Sequence, residues 1–193
     1  MAQQVTNNTA LIAALFDIFR NHGYEGTTIS LLSEVTGLKK SSLYHHFPAG
    51  KEDMLKVVVG YVSQQVDQHV ITPLLDTQVK PEIRFTNMLA IIKTFYSEGK
   101  KNCLLNVLNL GDAKAEINKL QNDDYQAWID ALIELGKEVG LSELDATDWA
   151  ERLLIVIEGT LVIQRLTNNA QTFEKQLAYE QKQFNQFVKN KGG

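Results

Sequence analysis

Apolar residues along this chain recur at three- and four-residue intervals, the spacing of one helix face. From Asn8 to His22 the positions Leu11, Ile12, Leu15, Phe16 and Phe19 form such a stripe, and Gly23 supplies a stop. Thr27 or Thr28 can cap a second, short helix with Ile29, Leu32 and Val35 inward, ended by Gly37. A third runs from about Lys39 to His46 and ends before Pro48. Lys51-Glu52-Asp53 opens a longer helix carrying Met54, Leu55, Val58, Val59, Val62 and Val66, with its acids in the first turn where the helix dipole favours them. Further helices are predicted over Ile83–Ser97 (Phe85, Met88, Leu89, Ile92, Phe95 and Tyr96 inward) and Ala113–Val139 (Ile117, Leu120, Trp128, Ile129, Leu132 and Leu135 inward). Ala146–Leu166 and Phe173–Val188 complete the set.

One segment admits a second reading. Leu153–Ile157 and Leu161–Ile163 are apolar and rich in β-branched residues around Glu158-Gly159, as a strand hairpin would be. Against that, Asp145 can cap a helix, and Trp149, Leu153, Val156 and Ile157 keep helical spacing. Helix is the reading adopted, and a helix apolar nearly all round belongs in a core or between subunits.

With 193 residues, 44% of them hydrophobic and 22% charged, the chain is globular and long enough for one or two domains. Its single cysteine excludes an internal disulfide, and with four histidines it leaves too few soft ligands for a zinc cluster. No metal and no cofactor are expected. The start, MAQQVTNN, has no basic region leading into a secretory core, and apolar runs reach only about five residues against the roughly 20 that span a bilayer. A soluble, cytoplasmic protein with no membrane partner is expected. The net charge of −4 excludes a uniformly basic coat for nucleic acid but permits a local basic patch.

Such a patch exists. Two short helices joined by a tight turn at Gly37 make a helix-turn-helix, whose second helix enters a DNA major groove. Leu38 and Leu43 anchor that second helix, leaving Lys39, Lys40, Ser41, Ser42, Tyr44 and His45 outward. Residues 36–47 hold two lysines and no acid, so nothing there repels phosphate. Without its surroundings a Lys pair on a short helix would be only a solvated face. His45 and His46 are adjacent, so a helix cannot aim both at one metal; capping or phosphate contact suits them better.

The stretch TTISLLSEVTGLKKSSLYHHFPAGKEDML resembles the DNA-binding domain of the TetR family of bacterial transcriptional repressors, and its HHFPAGKE ending is similar to the LmrA/YxaF-like branch. The motif covers about residues 9–60; beyond it the likeness lies in helix lengths and order. The resemblance implies an all-α protein: a three-helix DNA-binding domain with a helix-turn-helix over residues 1–50, then a larger helical ligand-binding and dimerisation domain over 51–193. It implies base contacts at Lys40, Ser41 and Ser42, and phosphate contacts at Thr28, Tyr44, His46 and Lys51. Many members carry a basic N-terminal arm, whereas residues 1–9 here contain no Lys or Arg, which puts minor-groove contact by an arm in doubt.

The function expected is a ligand-responsive repressor that binds a palindromic double-stranded operator as a homodimer and is released by a small apolar or electrophilic effector. Candidate pocket residues are Met88, Ile92, Phe95, Tyr96, Cys103, Tyr125, Trp128 and Trp149, a set that also fits a plain core. Candidate dimer contacts are Leu153, Val156, Gly159, Thr160, Ile163 and Phe184. Cys103 follows Lys100 and Lys101 at a helix start, which would favour a reactive thiolate, yet a lone buried cysteine is ordinarily inert. No catalytic residue is expected: phosphate-loop, nucleophile-elbow and zinc-protease motifs are absent, and Asp123-Asp124 lie on a polar face. Two other classes fit a helical chain, a ligand-binding protein that has lost DNA binding and a helical partner module; the acid-free second helix favours the repressor.

Overall fold

Helices α1 (Ala2–Gly26), α2 (Ile29–Thr36), α3 (Lys40–His46) and α4 (Lys51–Val66) follow one another with short turns in a computed structural model of the chain. The structure describes residues 2–108, 115–169 and 171–191. A π-helical turn (Asp67–Ile71) and the short α5 (Thr72–Leu74) extend α4. Then come α6 (Pro81–Phe95), α7 (Leu104–Leu108), α8 (Ala115–Glu138), α9 (Glu143–Thr167) and α10 (Thr172–Lys191). No strand occurs among the described residues, so the 153–163 segment is helix within α9. No helix among them is long and apolar enough to cross a membrane.

The chain divides into two compact units, the first holding residues 1–64 and 103–121, the second 65–102 and 122–193. The first therefore takes in most of α4 and all of α7 in addition to the three N-terminal helices.

In unit 1 the stripe on α1 supplies Leu15, Phe16, Ile18 and Phe19 to a core shared with Leu32, Leu43, Phe47, Met54 and Leu55. Gly23 does not end α1 outright but kinks it, at φ 68° and ψ −178°. Of the two candidate caps Thr28 is the one used, its Oγ1 accepting the Leu31 N–H at 3.2 Å. Thr27 is buried instead and donates to the Gly23 carbonyl at 2.6 Å. Val35, expected inward, is 54% exposed, because α2 is too short for a second turn to reach the core.

In unit 2 the centre is aromatic. Phe85 of α6, Trp149 of α9 and Phe184 of α10 stack with ring centroids 4.3–5.6 Å apart. Two ion pairs clip the periphery: buried Arg84 to Glu138, and Arg152 to buried Glu180 through two bonds of 2.8 and 2.9 Å. The cap of α9 is Ser142 rather than Asp145; Ser142 Oγ accepts the Asp145 N–H at 3.1 Å, and the Asp145 carboxylate accepts from Ser142 in return. The helix predicted to reach Ser97 stops at Phe95, since Ser97, Glu98 and Gly99 all turn left-handed at φ 47°, 60° and 84°. Buried Gln164 secures that turn by donating to the Glu98 carbonyl while accepting the Phe173 N–H, both at 2.9 Å. A Cβ on Gly99 would lie 2.5 Å from Gln164 Nε2, so only glycine fits. Of the helix predicted from Ala113, the first two residues lie outside the described residues, and Leu120, expected inward, is 40% exposed.

Candidate nucleic-acid interface and unit 2 cavity

The turn between α2 and α3 is built by side chains bonding to nearby backbone. Gly37 caps α2 at φ 68°, a left-handed position that lets the chain reverse at once. Ser33 Oγ donates to the Leu38 carbonyl at 2.7 Å, and Thr36 Oγ1 donates to the Leu32 carbonyl at 2.6 Å. With Leu32 and Leu43 buried on facing sides, α3 is held at a fixed angle to α2 and its remaining surface is left to solvent.

That surface carries the residues singled out from the sequence. Lys39, Lys40, Ser41, Tyr44, His45 and His46 are exposed, as is Thr28; Ser42 is half-buried. Lys40 Nζ donates to Ser30 Oγ at 2.8 Å, an exposed bond that costs little to exchange for a base or phosphate. The His45 and His46 rings stand edge to face 5.9 Å apart. Lys51 has a part the sequence did not reveal. Its ammonium donates to the Tyr24 carbonyl at 2.7 Å and sits 4.1 Å from the Tyr24 ring centroid, so it ties the start of α4 to the end of α1.

In unit 2 a cavity of about 80 Å³ opens among four elements. Gln65 and Val66 come from the end of α4, His69 and Val70 from the π turn, and Trp128 from α8. Ile91, Ile92 and Phe95 of α6 complete it with the neighbouring Tyr96. The π turn has a covalent cause: Pro73 lacks an N–H and its ring would clash with the carbonyl four residues back, that of His69, in a regular α-helix. Thus Ile92, Phe95, Tyr96 and Trp128 of the predicted pocket set come together. The others do not. Met88 and Trp149 are buried in the core, Trp149 against Phe85 and Phe184; Tyr125 is exposed and does not line the cavity. Cys103 belongs to unit 1 and is buried there, which removes the access a reactive thiol needs. Gln65, Val66, His69, Val70 and Ile91 were missed; Pro73 was the one sequence signal of a helix disturbed near them.

The expected dimer contacts divide likewise. Leu153 and Phe184 are 0% exposed within unit 2 itself and cannot meet a partner; Thr160 is nearly buried, its hydroxyl bonded to the Val156 carbonyl. Ile163 and Gly159 are exposed and Val156 is half-buried. With Ile155, Val162 and Leu166 they make an exposed apolar stripe on α9.

Residues 11–58 match the family model described as bacterial regulatory proteins, tetR family. The chain is 23% identical over 167 residues to the HTH-type transcriptional regulator LmrA of Bacillus subtilis, covering 83% of this chain and 87% of that one. Among solved structures, a TetR transcriptional regulator from Legionella pneumophila superposes with a TM-score of 0.78 at 18% identity, over 90% of this chain and 94% of that one. The regulator AibR, solved with isovaleryl coenzyme A and operator DNA, superposes with a TM-score of 0.63 at 18% identity, over 79% of this chain and 86% of that one. These structural likenesses speak to the fold.

Proposed function

Because the chain belongs to the TetR family of bacterial transcriptional regulators, we propose that it is a cytoplasmic repressor that binds a palindromic operator as a homodimer and leaves it when a small molecule enters unit 2. The observation that carries the DNA part is α3: exposed along its length, free of acids, and held by the Gly37 turn so that its outer surface can enter a major groove. In this reading Lys40, Ser41 and Ser42 contact bases, while Thr28, Tyr44, His46 and Lys51 hold phosphates, flanked by Lys39 and His45. AibR, with its bound operator, supports the same use of the fold.

The dimer reading rests on α9. Ile155, Gly159, Val162, Ile163 and Leu166 repeat at helical spacing on a side of the helix that its own chain leaves open. Nothing lies within 4 Å of where a Gly159 Cβ would be, so the chain's own packing makes no use of that missing side chain. Close approach by a second copy would. The cavity is the effector site in this proposal, entered by a neutral molecule because no Lys, Arg, Asp or Glu lines it.

Competition binding by fluorescence anisotropy, with the protein's own upstream DNA against random duplex at moderate salt, tests the core of the reading. Specific DNA should win, and Lys40→Ala should erase about 1–3 kcal/mol of that preference if it makes a bidentate guanine contact. Equal binding of both DNAs refutes the repressor assignment. Light scattering should give a dimer, and Ile163→Glu a monomer; a wild-type monomer at micromolar concentration removes the dimer.

A further inference from the structure

The walls of the unit 2 cavity are almost wholly carbon: Val66, Val70, Ile91, Ile92 and Phe95 surround it, with the exposed His69 at its polar edge. Trp128 departs from that pattern. It lines the cavity, and its indole Nε1 is sealed from solvent with no hydrogen-bond partner among the described residues. An indole nitrogen donates and never accepts, and buried tryptophan N–H groups ordinarily have a partner because an unmade bond there is costly. One donor thus waits beside an otherwise apolar space. Volume narrows the occupant further. At about 80 Å³ the space is smaller than a dry cavity of about 150 Å³ that takes up benzene. A single ring is then the largest guest, and it fits only with some give in the wall. The π turn carrying His69 and Val70 is the wall able to give, since its wide-looped bonding is less favourable than the α-helix on its N-terminal side.

We propose that the cavity selects a compact, neutral molecule of at most one ring bearing a single hydrogen-bond acceptor, which receives the Trp128 indole N–H. This rests on the reading of the cavity as the effector site and adds to it the chemistry that chooses the effector. Charged molecules are rejected for want of a counter-charge, and pure hydrocarbons are disfavoured because they leave the donor unmade.

Pyridine and benzene form a matched pair of probes, equal in shape and differing by one ring nitrogen lone pair. Calorimetric titration of both into full-length wild type and Trp128→Phe removes their unequal hydration from the comparison, since each probe's cost of leaving water is common to the two proteins. The affinity ratio of pyridine to benzene should fall about tenfold in Trp128→Phe, as the loss of one hydrogen bond predicts. The indole proton of Trp128, identified by its disappearance in Trp128→Phe, should move downfield in wild-type protein with pyridine and not with benzene. An unchanged ratio, an indole proton that ignores pyridine, or no pyridine binding at all overturns the proposal. Operator release is read separately by anisotropy. If pyridine moves the indole proton yet leaves DNA bound, the effector reading falls and the acceptor-selective cavity stands; if an unrelated molecule releases DNA without touching that proton, the reverse holds.

Discussion

In unit 1 the side chains proposed to meet DNA stand in solvent on a helix of seven residues, whereas in unit 2 the cavity is walled by side chains of the same kind that fill the core beside it. The contrast extends to what holds each in place. Around α3 the fixing bonds are short-range: Ser33 to Leu38, Thr36 to Leu32, Thr28 to Leu31. Around the cavity they span the chain: Arg84 to Glu138, Gln164 to Glu98, Phe85 against Phe184. A surface that reads a regular duplex can be specified by a few neighbouring residues. A space shaped to a small molecule depends on helices brought together from far apart in sequence.

The sharpest way to break this comparison is to attack the distant contacts. Phe184→Ala should cost about 3–5 kcal/mol in urea unfolding, because it removes a fully buried ring from the stack with Phe85 and Trp149. A loss under about 1 kcal/mol would mean that Phe184 is not core. Gly99→Ala comes next at about 2–4 kcal/mol, from a Cβ driven to 2.7 Å from that of Phe173 and from a left-handed φ of 84°. Its effect should be greatest on protection of the 97–99 turn in hydrogen exchange.

Local bonds should yield smaller losses. Thr28→Ala removes the α2 cap and should cost about 1 kcal/mol of stability, read by thermal melting without DNA. DNA affinity should fall further than stability does if Thr28 also holds a phosphate. Smallest is the exposed pair of Lys93 and Glu174, at 2.5 Å. The hydrogen bond from Lys93, and then its charge, hold the Glu174 carboxyl below its ordinary value of 4.5. Its contribution is therefore present at neutral pH and lost as pH falls through that lowered value. The melting difference between wild type and Glu174→Gln should be slight at neutral pH and close in acid; a difference that widens in acid contradicts the pairing.

The same contrast explains what the sequence made legible. Helix periodicity and glycine stops predict α2, α3 and the turn between them because each depends on residues within a few positions of one another. Val35 went astray because periodicity reports a face but not whether the neighbouring element is long enough to cover it. Trp128 and Trp149 are indistinguishable as apolar residues at helical spacing, yet one lines the cavity and the other packs in the core. Phe184 and Leu153 were assigned outward for the same reason; α9 is apolar on most sides, and only the packing of α6 and α10 decides which side remains open. The π turn had a visible cause in Pro73, but its use as cavity wall depends on α6 and α8 lying across from it.

Gln164 leaves a mark on the timing of solvent access. The first amides of a helix have no intrahelical acceptor and normally trade their hydrogens with water quickly. The Phe173 amide sits in the first turn of α10, yet it is buried and bonded to Gln164 Oε1, so its deuterium uptake should keep pace with the interior. One slow amide at a helix start then serves as a clock for the opening of unit 2, and Gln164→Ala should set it running at the rate of an ordinary helix end.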